Sequence, residues 1–145
     1  MRQDLSKTKG DVSLITKDSH STEVLRFVFE AAFFDCAVDS DGDLIVCSDY
    51  RIIAKSNAFF VQLIAVFPAR KGASWLTILE SINKMNLELS APRGYALTDT
   101  FDHALVLDYC VTIGEGLTPK TLVESLRFFE SCIRKAVTFY DGLLR

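Results

Sequence analysis

The stretch whose reading decides the fold is Ile82 to Thr118, INKMNLELSAPRGYALTDTFDHALVLDYCVTIGEGLT. It opens inside a helical pattern. At 100° per residue Trp75, Ile78, Leu79, Ile82, Met85 and Leu89 make one apolar stripe, with Asn86 inside it and Asn83 on its flank. Ser74 is the expected cap of that helix, and Pro92 and Gly94 end it. The period then changes to two. Tyr95 to Asp99 reads as a short strand and Ala104 to Ile113 as a longer one, joined by a loop around Thr100 to His103. Leu105, Leu107, Tyr109, Val111 and Ile113 fall on one face of the longer strand, and Ala104, Val106, Asp108, Cys110 and Thr112 on the other. A buried amide without partners costs on the order of 1 to 3 kcal/mol, so Asn86 is expected to tie the helix to nearby backbone. Recognition of a ligand by that amide is the rarer use of such a residue.

Beyond that stretch, Gly114-Glu115-Gly116 turns the chain, Thr118 caps, and Pro119 opens a last helix expected to run to about Leu144. A phosphate loop is excluded there, because Pro119 lacks an amide donor and Glu115 would repel the anion. Leu122, Leu126, Phe129, Ile133, Ala136, Val137, Tyr140 and Leu144 lie within about 100° of one another and form a core stripe. Phe128, Cys132 and Phe139 line a second strip about 90° away, which leaves Glu124, Arg127, Glu130, Arg134, Lys135 and Asp141 to solvent. The widened arc either wraps over a sheet or stays open for self-association or a partner, as large exposed apolar patches do.

Upstream, residues 1–20 read as a loose arm or short first strand, and Ser21 or Thr22 caps a first helix through about Ala32. Asp41-Gly42 between two apolar runs predicts a two-residue hairpin loop, in which Val38 faces Ile45 and Cys36 faces Cys47. Cross-strand neighbours about 5.5 Å apart are within disulfide range, although packed, reduced thiols are the expectation inside a cell. Asp39, Asp41 and Asp43 alternate like the start of a calcium loop, but the glycine and the closing glutamate are missing, so turn chemistry explains them. Arg51 to Ser56 continues or restarts an edge strand. Ala58 to Phe67, apolar almost throughout, reads as a strand covered on both faces or set at an interface, and Pro68 closes it.

Bulk properties bound the function. A chain of 145 residues, 49% hydrophobic and with eleven Phe, supports one real core, here a single domain over 21–145 after the arm. Its longest apolar run, broken by Gln62, falls well short of the roughly 20 residues of a membrane span. The start has no apolar targeting segment, so a cytoplasmic location is expected and no membrane partner. A net charge of −3 argues against general nucleic-acid affinity. No zinc-type spacing, nucleophile with a base, or cofactor motif is present, and His103 reads as a loop residue with a solvated ring. An enzyme, a metal and a cofactor are therefore not expected.

The order helix, three strands, helix, two strands, helix predicts an α+β domain, an antiparallel sheet with helices packed on it. That order is similar to the YbjN-like family, proposed bacterial sensory transduction regulators, whose fold resembles that of type III secretion chaperones. The resemblance rests on Ile82-Asn83-Lys84-Met85-Asn86, on Ala96 to Asp99, on Ile113-Gly114-Glu115-Gly116-Leu117-Thr118, and on Leu126 and Phe129 of the last helix. The chain departs from the family at Met85, where Trp is frequent, and the arm has no counterpart. The resemblance implies a non-enzymatic module that binds a protein partner, chaperone-like or as a regulatory adaptor, and forms a homodimer. On the residues, Phe128, Cys132 and Phe139 are the expected partner surface. The alternative is a small-ligand sensor with a pocket between sheet and helices that uses Trp75, Asn86 and Tyr109.

Overall fold

A computed structural model describes residues 14–99 and 102–145. Most of the expected arm and the tip of the 100–103 loop lie outside those residues. Within them the order is α1 (Thr22–Ala31), β1 (Asp35–Val38), β2 (Leu44–Cys47), β3 (Arg51–Ser56), β4 (Phe60–Pro68), α2 (Trp75–Glu88), β5 (Arg93–Thr98), β6 (His103–Thr112) and α3 (Pro119–Ala136), followed by a 3-10 turn, Val137–Tyr140. Side chains start all three helices. The hydroxyls of Ser21, Ser74 and Thr118 accept from the amides of Val24, Thr77 and Thr121, which satisfies donors that a helix start otherwise leaves open.

The strands form one antiparallel sheet in the order β1-β2-β3-β4-β6-β5. Its inward residues, Leu44, Val46, Ile52, Ala54, Val61, Leu63, Ala65, Leu105, Leu107 and Val111, join Leu25, Val28 and Phe29 of α1, Ile78, Ile82 and Met85 of α2, and Leu122, Leu126, Phe129 and Ile133 of α3 in one core. Among the described residues the helices thus cover one face. On the other face Asp108 is buried under Arg93, whose Nε and Nη2 donate to its two oxygens at 3.0 and 2.5 Å, and Gln62 Nε2 donates at 2.8 Å. Such a carboxylate is tolerable because fixed donors meet it.

Several expectations change. Asp39 Oδ1 accepts from the amides of both Asp41 and Asp43 at 2.9 Å, and only Gly42 of the loop has a positive φ, 82°. A two-residue loop of the expected type needs positive φ at both centres, so the loop is longer and the register shifts by one. Val38 faces Leu44, Cys36 faces Val46, and Cys47 faces Asp35. The two thiols therefore point to opposite faces. Burial pushes the Cys36 thiol up to about 11, further from the reactive thiolate.

Arg51–Ser56 is a strand of its own, interior to the sheet, because Ile52 and Ala54 both face the core. In β4, Val61, Leu63 and Ala65 are buried while Gln62, Ile64 and Val66 are open in part, so one face is covered rather than two. His103 begins β6, its ring 4.9 Å from that of Trp75 and its Nδ1 2.7 Å from Thr98 Oγ1. The last helix stops at Ala136, where Val137 and Thr138, both β-branched, pass into the 3-10 turn. Leu144 then bridges Ala69.

Candidate functional site

The corner that joins α1 to β1 carries the most unusual local geometry in the described chain. The Phe34 amide donates to Phe29 O at 3.1 Å and the Phe33 amide to Glu30 O at 3.0 Å, the paired bonds of a Schellman motif. The apolar contact that accompanies the motif is present too, with the Phe29 and Phe34 rings meeting edge-on at 6.1 Å. The position between them must be left-handed, and glycine normally fills it. Here it is Phe33, the one residue other than glycine with positive φ among those described, at 68°. For an L-residue that conformation costs roughly 1 to 2 kcal/mol. Its ring gains nothing in return from folding, being 97% exposed.

A cavity of about 540 Å³ opens beside Phe33. Ala32, Phe33 and Phe34 form one wall, Cys47, Ser48 and Asp49 from the end of β2 a second, and Arg127, Glu130 and Arg134 of α3 the third. Glu130 is only 8% exposed. Burial first, then the charge of Asp49, raises its carboxyl above the ordinary glutamate range, against the hydrogen bond from Ser48 and the charges of Arg134 and Arg127. Arg134 Nη1 pairs with Asp49 Oδ2 at 3.3 Å. Arg127 lies over the Phe34 ring, 5.9 Å from its centroid. A second cavity, about 360 Å³, adjoins the first through Ala32 and Arg127 and runs between α1 and α3 past Val28 and Val123. The corner is thus a groove with an exposed aromatic at its rim and a buried acid within.

The residues expected from sequence to form sites do not assemble in this way. Of the supposed α3 strip, Phe128 is 49% exposed with its ring 5.5 Å from Tyr109, Cys132 is buried, and Phe139 lies beyond the helix, half-buried against the core. Glu130, assigned to solvent by its place on the helix, is buried instead, because the Ser48 loop closes over that side. Trp75, Asn86 and Tyr109 stand apart. Trp75 meets the His103 ring at a tilt, Tyr109 packs against Phe128 and Phe129, and these contacts are six residues of β6 apart, about 20 Å. Asn86 is consumed by Gly94, donating to its carbonyl and accepting from its amide, both at 2.9 Å.

The residues of this corner, Phe33, Arg127, Glu130 and Arg134, were not singled out from the sequence. Phe33 had no local signal, since nothing in an Ala-Ala-Phe-Phe run marks a left-handed position. The three α3 charges at spacings of three and four do share a helix side, but that pattern is equally that of a solvated face. Leu76, Leu79 and Leu87 also stand open on α2, in ordinary helical backbone, as exposed leucines commonly do.

Among the described residues no three His, Cys, Asp or Glu side chains group as metal ligands, and no helix is long and apolar enough to cross a membrane. No family model matches the chain, and no curated protein does. Among solved structures, the crystal structure of YbjN from E. coli, a proposed transcription regulator, matches with a TM-score of 0.74 at 13% identity, over 86% of this chain and 96% of that one. The chain has a YbjN-like α+β fold.

Proposed function

We propose that this domain is a non-enzymatic regulatory module that works by binding a protein chain, in the manner of an adaptor or chaperone, at the α1–β1 corner. The observation that carries the reading is Phe33, a large aromatic in a strained backbone conformation and almost wholly in water. Strain of this kind persists where the surroundings impose it, and it concentrates at sites of contact. A rigidly presented aromatic is the usual anchor of a protein interface, and the groove beside it supplies a polar rim. On this reading the contact surface centres on Phe33, at the rim of the groove. The likeness to YbjN, itself a proposed regulator, fits a regulatory role. A homodimer, as the family resemblance implies, is the simplest form of such a module.

The test compares wild-type protein with Phe33→Gly as baits in native extract, followed by reconstitution of any captured partner with purified components. Sedimentation of each protein alone reads self-association. A partner, or a dimer, that wild-type protein binds and Phe33→Gly loses supports the reading. Identical binding by the two proteins removes Phe33 from the contact and the reading with it.

A further inference from the structure

We propose that the cavity beside Phe33 binds a small zwitterion of the free α-amino acid class, with the ligand ammonium on Glu130, its carboxylate on Arg127 and its side chain against Phe34. This goes beyond the docking of a protein at Phe33 and does not depend on it.

The depression, about 540 Å³ and widely open to solvent, has room for a small molecule, whose sites run to roughly 300–1,000 Å³. The charges inside it are unevenly matched. Arg134 is committed to Asp49, whereas among the described residues neither Arg127 nor Glu130 forms a direct ion pair. Glu130 is more than nine-tenths buried, and the Ser48 hydrogen bond with the nearby charges of Arg134 and Arg127 offsets only part of the cost of a carboxylate there. A ligand ammonium supplies the counter-charge. Arg127, its guanidinium carbon 5.9 Å from the Phe34 ring centroid, has the fork of its guanidinium available for a carboxylate, which it can hold by two parallel bonds.

Spacing selects the ligand. Arg127 and Glu130 stand three residues apart on α3, so their stems are neighbours about 5–6 Å apart on one helix side. An α-amino acid carries its two charges on either side of one carbon, which suits an acid and a base placed so. An internal peptide segment has neither charge and would leave both protein groups unmatched. A simple anion would lie against Glu130, and a simple cation against Arg127.

The experiment is an NMR titration of the isotope-labelled full chain with each common amino acid at millimolar concentration, beside its N-acetyl form, its carboxamide, and the N-acetyl carboxamide that mimics internal peptide. At least one free amino acid is expected to shift the amides of Phe33, Ser48 and Glu130. Blocking either charge should weaken binding at least tenfold, the loss of one charge-assisted contact. Glu130→Gln and Arg127→Gln should each do the same while keeping a folded spectrum. The blocked ligands need no variant, so the result stands even if one substitution unfolds the chain. Absence of binding by every free amino acid overturns the proposal. So does equal binding of the N-acetyl carboxamide, which would make the occupant a peptide, or undiminished binding by both variants.

Discussion

Phe29 and Phe34 meet ring edge to ring face at 6.1 Å across the end of α1, and by meeting they hold Phe33, the residue between helix and strand, out in solvent. The contact fixes the chain path from α1 into β1, while the hydrogen bonds beneath it fix the left-handed backbone of Phe33. Stability is served by the two aromatics of the contact. The third is free for something else.

Asn86 should prove a structural residue. Asn86→Leu removes both bonds to Gly94 and leaves a backbone donor and acceptor of β5 to find water, at a cost of about 1–3 kcal/mol. Urea unfolding measures it. Wild-type stability in the variant would show that the amide serves something other than the docking of α2.

A methyl group at Gly94 would have to displace the end of the buried Met85 side chain. A Cβ there would come within 2.3 Å of Met85 Cε and 3.1 Å of the Tyr140 hydroxyl, which itself donates to Met85 Sδ at 3.1 Å in the core. Gly94→Ala is expected to destabilise by about 1–3 kcal/mol through overpacking. Met85→Ala in the same chain should recover part of that loss, and a double-mutant cycle in urea reads the coupling.

Arg93→Ala leaves Asp108 buried without its cation. The guanidinium is mostly in solvent, so the loss falls at the low end for a broken pair, about 1 kcal/mol. Asp108→Asn in addition should restore part of it, because the neutral amide no longer needs a counter-charge. Thermal unfolding of the single and double variants decides this.

Glu130→Gln should raise stability near neutral pH. The folded protein holds the Glu130 proton more tightly than the unfolded chain does, because burial disfavours the anion. Stability from that group is therefore fully present below the unfolded carboxyl's range and is lost as pH rises through the raised folded value. The variant, which cannot ionise, should match wild type at the acid end and exceed it above. Urea midpoints across a pH series give the difference, which must grow with pH.

Elements whose signal is periodic or local could be read from the residues alone. The helix caps at Ser74 and Thr118, the two faces of β6 and the docking role of Asn86 all follow from spacing, and the structure has them. Features set by backbone conformation or distant cover could not. The hairpin register turned on whether Asp41 joined Gly42 in the left-handed region, a matter decided by the Asp39 carboxylate. Glu130 looked solvated because its cover comes from the loop after β2, about eighty residues away in sequence. Phe33 was invisible for a related reason. The left-handed position follows from the Schellman bonds closed by Phe34, and no residue type at Phe33 announces it.

Phe33→Gly, measured for stability by urea unfolding and for binding by partner capture and sedimentation, separates the strain at Phe33 from its contact. Glycine adopts the left-handed conformation without strain, so the variant should be about 1 kcal/mol more stable than wild type, or at least no less, while it loses the partner or the dimer. A variant that is destabilised, or that binds as wild type does, would contradict the claim that Phe33 is held there for contact.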